Sequence, residues 1–563
     1  MLPEAILKEE KKELAFVGKK IPRVDAKEKV SGRPIYVRDL APKVCYHAKI
    51  VRSTRPHARI KNIDVSEVLK IPGVMDVITA DDIPGINFVD AIIPDKPFLA
   101  KDEVNYVGEE IAIVVAIDKE TAELAAKKVK VEYEDLPFEI DFDIDKIEPN
   151  RIICDSRIEK GDVEKGFKEA TYVIEETFET GAQEHAYIEP QGVFADASGD
   201  IIEIKAATQC PYYVQKNVSK ILGVPLHKVK VTATMVGGGF GGKEEDPSWI
   251  AALCALASYK VGRPVILDYD REEDMLSTTK RHPSKIRIKI GVDEEGKFTA
   301  IEAKVVLDGG AYGTITPAVL FLAVQVVSGP YKWPNVKIYG VAVKTNRPPS
   351  GAFRGFGAPQ AVFAIESAID ILAEKMGINP IQLRMINGLE GGSETVTTQK
   401  LGDDVGFKES LEIADNMSEF SRKRELYTKH NEGRVIKKGI GLAGAWTIIG
   451  LGPGGYPEDR GIVYVQFTID GRLVVNVGVT EMGQGSLTVI KQMAAEIFGM
   501  KLEDVEVIIG DTLALLDTGP TVASRTTFVI GNALRDAARK LKPIIFETAL
   551  EISEKISEPL EIR

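Results

Sequence analysis

The segment Val236-Gly237-Gly238-Gly239-Phe240-Gly241-Gly242-Lys243-Glu244-Glu245 places five glycines in six positions. Glycine allows positive φ and a close approach of a ligand to the backbone, so such a loop can present N–H groups to an anion. The run 229–236 before the loop is strand-like, and the run 248–262 after it is apolar and helix-like. A strand, a loop and a helix in this order place the loop at the edge of a sheet, where ligands are commonly held.

The same loop matches a phosphate-binding P-loop only in part. Residues 237–243 fit the spacing G-x-x-x-x-G-K, but the next position, which must supply a hydroxyl to Mg²⁺, holds Glu244. A carboxylate at that position would repel a triphosphate. A nucleotide site is therefore disfavoured, and a glycine-rich turn that binds nothing stays open as the simpler alternative.

The composition predicts a soluble globular protein of about three domains. Of the 563 residues, 44% are hydrophobic and 28% are charged, and the net charge of -12 argues against nucleic acid as a partner. The longest apolar run, 318–327, is about half the length that a membrane span needs. The N-terminal residues are charged where a signal peptide would be apolar. We therefore expect a cytoplasmic protein with no membrane partner.

Cysteine spacing bears on redox centres. The four cysteines, Cys45, Cys154, Cys210 and Cys254, lie far apart in the sequence. Neither a metal knuckle nor a disulfide framework is predicted from such spacing. Any iron–sulfur cluster that the function requires must therefore come from another chain.

Alternating and amphipathic runs predict a mixed α+β fold in three domains, at 18–145, 155–400 and 405–563. The boundaries fall at an acidic stretch containing proline (141–150) and at a stretch rich in Gly, Ser, Thr and Asp (391–404). In the last domain the runs 463–468 and 473–477 predict a hairpin, and the run 531–556 predicts a helix interrupted by Pro543.

Three further loops carry polar or charged residues beside glycine or at the start of a helix. The segment Phe353-Arg354-Gly355-Phe356-Gly357 offers a guanidinium that could hold an oxyanion or a carboxylate. The segment Glu481-Met482-Gly483-Gln484-Gly485 opens a predicted helix, and Ala523-Ser524-Arg525-Thr526 lies further on. Together with the first glycine loop they predict one composite site.

These four motifs, in this order, resemble the molybdenum-binding subunit of the xanthine dehydrogenase and aldehyde oxidoreductase family. The resemblance runs from about residue 18 to the end of the sequence. It implies an α/β hammerhead domain, to which the segments Arg52-Ser53-Thr54-Arg55-Pro56-His57 and Pro72-Gly73-Val74 are similar. Two mixed α/β molybdopterin-binding domains would follow, and the last of them would be incomplete in this chain.

The resemblance also implies roles for individual residues. Glu244 would face the substrate, and Arg354 would steady the substrate and the negative charge that develops on it. Gln209 would hydrogen-bond an oxo ligand of molybdenum. The residues implied to hold the cofactor are Gln209, Gly239, Phe240, Gly241, Met482, Gly483, Gln484, Ala523, Ser524 and Thr526. No residue would ligate molybdenum directly, since the pterin dithiolene would hold it.

The implied reaction is hydroxylation of an electron-poor carbon in an aldehyde or N-heterocycle, with water as the oxygen source. The implied cofactor is molybdopterin, either in its simple form or as the cytosine dinucleotide. Partner subunits carrying [2Fe-2S] clusters and FAD would accept the electrons, since this sequence has no cysteine cluster.

One expected residue is missing from the sequence. The family's general base is a glutamate in a Gly-Glu-Pro segment, and no such segment occurs here. Glu558 precedes a proline but follows the Ala-Ser-Arg loop too closely, and Glu109 lies in the hammerhead region, so neither is a good candidate. We therefore expect a split subunit, in which a further chain supplies the rest of the last domain, with a truncated gene product as the alternative.

Two further departures from the family concern the substrate. Gly355 stands where carbon monoxide dehydrogenases carry a cysteine, which disfavours that activity. The segments 394–399 and 439–445 contain no phenylalanine to sandwich a purine. A reductive dehydroxylase of an aromatic CoA thioester and a non-catalytic or maturation paralogue remain as alternatives, and a nucleotide-binding protein is less favoured.

Overall fold

A computed structural model of the chain describes residues 13–33, 35–40, 45–452 and 459–556. The strands are β1 (Tyr46–Arg52), β2 (Ala58–Asp64), β3 (Val74–Thr79), β4 (Glu103–Val104), β5 (Glu110–Ala116), β6 (Lys130–Asp135), β7 (Ile152–Lys160), β8 (Tyr172–Thr180), β9 (Gly192–Asp196), β10 (Ile202–Ala206), β11 (Val229–Ala233), β12 (Val265–Asp268), β13 (Ser284–Val292), β14 (Phe298–Gly310), β15 (Val336–Lys344), β16 (Tyr464–Phe467), β17 (Leu473–Val477) and β18 (Val505–Ile509). The α-helices are α1 (Ala26–Val30), α2 (Lys119–Ala126), α3 (Val163–Glu169), α4 (Pro211–Leu222), α5 (Asp246–Val261), α6 (Arg271–Ser277), α7 (Thr316–Val326), α8 (Ala358–Met376), α9 (Pro380–Asn387), α10 (Phe407–Ser418), α11 (Phe420–Asn431), α12 (Ser486–Phe498) and α13 (Thr526–Ile556). The predicted mixed α/β class is confirmed.

A seven-stranded sheet in the order β11-β10-β9-β12-β1-β5-β3 forms the first layer of the fold. Its strand β5 is buried along its whole length, and helices α4 and α5 pack on the sheet through an extensive apolar core. Strand β1 pairs with β12 in parallel, so the sheet runs from the first predicted domain into the second. The predicted boundary between those two domains stays a prediction.

The glycine loop lies between β11, at one edge of this sheet, and α5. The predicted order of strand, loop and helix is therefore confirmed. Helix α5 begins at Asp246, with Pro247 in its first turn where a missing N–H costs nothing, and it ends before Gly262 in the left-handed region. Its N-terminus adjoins the loop, and the N–H of Ser248 in its first turn donates to the carbonyl of Glu245 at 2.8 Å.

A five-stranded sheet in the order β7-β15-β14-β13-β8 forms the second layer, covered by α7 and α8. The segment with Arg354 leaves this sheet after β15 and enters α8 at Gly357, which has a φ of 92°. A Cβ on Gly357 would lie 2.6 Å from the carbonyl oxygen of Val319, so glycine is needed at this helix start.

The last part of the chain contains the sheet β16-β17-β18 with helices α12 and α13. The predicted hairpin is confirmed, because β16 and β17 pair antiparallel from Tyr464 with Asn476 to Phe467 with Leu473. The prediction that Pro543 interrupts the last helix is wrong, since α13 continues through it. Proline removes one N–H donor from the helix, and Arg539, whose carbonyl loses that donor, lies on the exposed side of the helix.

No helix within the described ranges has both the length and the apolar character that a membrane crossing requires.

Candidate functional site

An ion pair between the buried Lys243 and Glu189 holds the glycine loop in place. One carboxylate oxygen of Glu189 accepts hydrogen bonds from the N–H of Gly237 at 2.7 Å and from the ammonium of Lys243 at 2.8 Å. Lys243 is fully buried, with its ammonium 4.8 Å from the centre of the Tyr187 ring. Both ends of the loop are thereby tied to a single carboxylate.

The glycines of the loop are required by what surrounds them. Gly241 has a φ of 100°, and a Cβ there would lie 2.6 Å from the carbonyl oxygen of Ala352. A Cβ on Gly239 would lie 2.5 Å from the side-chain oxygen of Gln209. Phe240, between them, is 45% exposed with a φ of 56°, and its N–H has no acceptor among the described residues. The loop therefore presents an aromatic ring and a free N–H on its open side.

Gln209 joins this loop to two others. Its side-chain oxygen accepts from the N–H of Gly241 at 2.9 Å, and its side-chain amide donates to the carbonyl of Thr521 at 3.3 Å. Thr480 donates its hydroxyl to the backbone carbonyl of Gln209 at 3.2 Å and its N–H to the hydroxyl of Thr521 at 3.0 Å. The structure thus brings Gln209 together with the loops that precede Glu481 and Ala523. Its contact with an oxo ligand stays a prediction.

Arg354 lies directly beside the glycine loop. Its N–H donates to the carbonyl of Phe240 at 2.8 Å. Its side chain is exposed and makes no hydrogen bond or ion pair with another described residue. The guanidinium is therefore a cation held at the rim of the site by its backbone and available to a ligand.

Three consecutive buried carboxyl groups follow the glycine loop. Burial raises the pKa of Glu244 to about 8 and the pKa of Asp246 to about 6. Burial also raises the pKa of Glu245 well above its usual value, and the neighbouring carboxyl groups of Glu244 and Asp246 add to that effect. Asp246 accepts hydrogen bonds from the hydroxyl and the N–H of Thr279 at 2.6 Å and 3.1 Å. Glu244 has no such partner among the described residues, so at neutral pH it is a neutral acid that can donate a hydrogen bond.

The loop before α12 is shaped by Glu481, which is buried. One of its oxygens accepts from the N–H groups of Gly483 and Gly485, both at 2.9 Å, and the other accepts from Leu487 at 3.1 Å. A Cβ on Gly483 would meet nothing within 4 Å, so this loop is open on its outer side. Met482 is half-buried against the apolar cluster that contains Val236, at the start of the glycine loop.

The fourth loop carries two neighbouring non-glycine residues in the left-handed region. Ala523 has a φ of 50° and Ser524 a φ of 53°, and their N–H groups have no acceptor within the described ranges. Arg525 is buried and anchors the loop by donating to Asp459 at 2.7 Å and to the carbonyl of Thr518 at 2.9 Å. Thr526 is the first residue of α13. Such strained, N–H-presenting turns commonly bind anions.

The family models identify the three parts of the chain. Residues 31–137 match the a/b hammerhead domain of aldehyde oxidase and xanthine dehydrogenase, and residues 144–388 and 413–563 each match a molybdopterin cofactor-binding domain. A probable xanthine dehydrogenase subunit of Bacillus subtilis is 35% identical over 541 residues, which cover 94% of this chain and 71% of that protein.

The chain belongs to the xanthine dehydrogenase and aldehyde oxidase family, as a molybdopterin-binding member. The xanthine dehydrogenase of Blastobotrys adeninivorans is 33% identical over 94% of this chain, which spans 38% of that protein. The solved aldehyde oxidoreductase of Desulfovibrio gigas superposes with a TM-score of 0.83 at 29% identity, over 93% of this chain and 59% of the other. The predicted family and the hammerhead domain are confirmed.

The site fits the cofactor that the family implies. Molybdopterin carries an anionic phosphate, and the N–H groups of Phe240, Ala523 and Ser524 have no acceptor within the described ranges. Open space also surrounds the position of Gly483 in the loop before α12. Within the described ranges no cluster of three or more His, Cys, Asp or Glu side chains could hold a metal ion by itself.

Several structural residues of the site were missed by the sequence reasoning. Glu189 and Tyr187 support the glycine loop from a segment about fifty residues earlier. Glu481 is the first residue of a motif that was recognised, but its role in holding the loop was not predicted. Arg23 reinforces Glu481 with an ion pair at 3.3 Å and donates to the carbonyl of Gly483 at 2.6 Å. Nothing in the sequence indicated that contact.

The two glutamates weighed as a base have different outcomes. Glu558 lies outside the described residues. Glu109 is buried, accepts hydrogen bonds from the hydroxyl of Tyr312 and the N–H of Asn105, and has its pKa raised by burial to about 7. Its carboxyl group is thus held by two residues that belong to none of the four loops. That it is a poor candidate for the base stays a prediction.

Proposed function

We propose that this chain is the cofactor-binding subunit of a molybdenum hydroxylase that oxidises a carbon of an aldehyde or an N-heterocycle. The observation that carries the proposal is the meeting of three loops at Gln209, with the Arg354 loop bonded to the first of them at Phe240. A neutral buried acid at Glu244 and an exposed cation at Arg354 belong to the same loops. Similarity to a xanthine dehydrogenase subunit and to an aldehyde oxidoreductase supports the substrate class.

The residues that would hold molybdopterin divide between the loops. Free N–H groups at Phe240, Ala523 and Ser524 would receive its anionic and polar groups, and Gln484 and Thr526 would border them. The side-chain amide of Gln209 would donate a hydrogen bond to the metal centre. When bound, the cofactor supplies two-electron oxidation of a carbon with water as the source of oxygen.

Glu244 and Arg354 would act on the substrate. A neutral carboxylic acid in a dry site can donate a hydrogen bond to a carbonyl oxygen or a ring nitrogen and so orient it. The guanidinium of Arg354 would stabilise negative charge that develops on the same substrate. Segments 394–399 and 439–445 offer no phenylalanine, which favours an aldehyde over a purine.

Electrons would leave to partner subunits that carry [2Fe-2S] clusters and FAD. The cysteines are single and mostly buried, which leaves no cluster site in the described chain. We also propose that the base that accepts the proton released from water comes from outside the described residues, since Glu109 is held by Tyr312.

The test uses the enzyme purified with its co-purifying subunits from a host that makes the cofactor. Benzaldehyde, quinoline and xanthine are offered with a dye as electron acceptor. Arg354→Met should lower kcat/KM for the oxidised substrate by about 10²–10³ while molybdenum content is unchanged, because a fixed cation contributes on that scale. The control Arg287→Met alters a half-buried residue paired with Asp145, outside the four loops, and should leave the rate unchanged. Full molybdenum content without oxidation of any of the three would contradict the proposal and favour a maturation role.

A further inference from the structure

The ring of Phe353, the residue before Arg354, lies between two side chains. The ring of His185 stacks on it with centroids 4.2 Å apart and planes 19° apart. The guanidinium carbon of Arg281 lies 3.9 Å from the centre of the same ring. Two planar groups cannot both approach one ring centre this closely from one side without overlapping. His185 and Arg281 therefore cover opposite faces of Phe353.

The same two residues hold the backbone on either side of Phe353. A ring nitrogen of His185 lies 2.7 Å from the carbonyl oxygen of Ala352. The guanidinium of Arg281 donates to the carbonyl of Arg354 at 3.2 Å. Since the side chain of His185 is fully buried, its contact with Ala352 has no competition from water. The segment 352–354 is thus fixed at the ring and at both neighbouring peptides.

Arg281 is not part of a salt bridge among the described residues. It donates to the side-chain oxygen of Gln183 at 2.7 Å, and one of its terminal nitrogens is buried with no hydrogen-bond partner in the described chain. Burial lowers its pKa to about 10, so it remains a cation at neutral pH. A buried cation without a carboxylate is costly, and the face of Phe353 is the partner that offsets this cost. If position 281 only filled space, an apolar side chain there would stabilise the fold with a smaller desolvation penalty.

We propose that His185 and Arg281 are positioning residues that clamp Phe353 and thereby fix the direction in which Arg354 meets the substrate. This proposal rests on the proposed function in one respect, the contact between Arg354 and the substrate. The clamp itself does not depend on which substrate is oxidised.

The first test of the clamp does not depend on catalytic activity. Hydrogen–deuterium exchange is followed by mass spectrometry in the complete enzyme, on peptides that cover 350–357 and 246–261. His185→Leu and Arg281→Lys should each speed exchange in 350–357 at least tenfold, because the N–H groups of Arg354 and Phe356 are protected there by bonds to Phe240 and Phe353. Exchange in 246–261 should not change, and Arg287→Lys should change neither peptide. Unchanged exchange in 350–357, or equal acceleration in both peptides, would overturn the clamp.

The second test is a double-mutant cycle on kcat/KM with benzaldehyde as the probe. Arg281→Lys should lower kcat/KM at least tenfold in the parent enzyme and less than twofold when Arg354 is already methionine, because it acts through Arg354. Equal losses in both backgrounds would overturn the positioning role. If Arg354→Met alone has no effect, the proposed function of Arg354 fails, and the exchange experiment still decides whether the clamp exists.

Discussion

Replacing Glu244 with glutamine should remove a pH-dependent loss of stability. Burial raises the pKa of Glu244 from 4.5 to about 8. Below pH 4.5 the folded and unfolded chains both hold this proton, so this group adds no pH dependence. From there to about pH 8 only the unfolded chain releases it, and stability falls by about 1.4 kcal/mol per pH unit. The whole effect is about 5 kcal/mol, of which about 3 kcal/mol has accumulated at pH 7.

The assay is thermal unfolding of the parent and of Glu244→Gln at pH 5, 6, 7 and 8. The variant should gain in Tm relative to the parent as the pH rises, because glutamine keeps the shape and has no proton to lose. Glu203→Gln is the matched control, since Glu203 is exposed on β10. A difference in Tm between parent and variant that is the same at all four pH values would refute the reasoning, because it would mean that Glu244 is ionised in the folded chain.

Three other substitutions test how the loops are built. Gly241→Ala should lower stability by roughly 2–4 kcal/mol in thermal unfolding, because the added Cβ would clash with a carbonyl oxygen and the backbone has a positive φ. Gly262→Ala also has a positive φ but has open space around the Cβ, so it should cost about 1 kcal/mol. Lys243→Met should lower stability by about 3–5 kcal/mol in the same assay, because the carboxylate of Glu189 loses its cationic partner. A loss under 1 kcal/mol would contradict the role of this ion pair in holding the glycine loop. Glu481→Ala frees three N–H groups and should reduce the pterin retained after gel filtration, while retention equal to the parent's would contradict its role.

Local signals in the sequence set the ends of several helices. Asp118 caps α2 by accepting from the N–H of Thr121 at 2.7 Å, and Gly223 and Gly377 end their helices in the left-handed region. Each of these signals acts within one helical turn. The pairing of β1 with β12, more than two hundred residues apart, has no such signal. Its register depends on burial in the complete sheet.

In the candidate site, too, local features were predictable from the sequence and long-range contacts were not. The four loops were predicted from their glycines, their polar residues and their order. The close contacts that require glycine at some of these positions, such as Ala352 against Gly241, appear only in the folded structure. The contacts that make the loops one site, through Gln209 and Thr521, join residues over three hundred positions apart. No local pattern in the sequence predicts contacts between residues this far apart in the chain. The left-handed conformation of Phe240 was also unpredictable, because non-glycine residues adopt it only where tertiary contacts enforce it.

The central claim is that these four loops hold a molybdenum cofactor. The most direct measurement is the content of molybdenum, by elemental mass spectrometry, and of oxidised pterin, by fluorescence, in the enzyme purified with its co-purifying subunits from a host that makes the cofactor. We expect close to one molybdenum and one pterin per chain, and loss of both in Gly241→Ala, with Gly262→Ala retaining them. Correctly folded parent protein that carries neither molybdenum nor pterin would contradict the account.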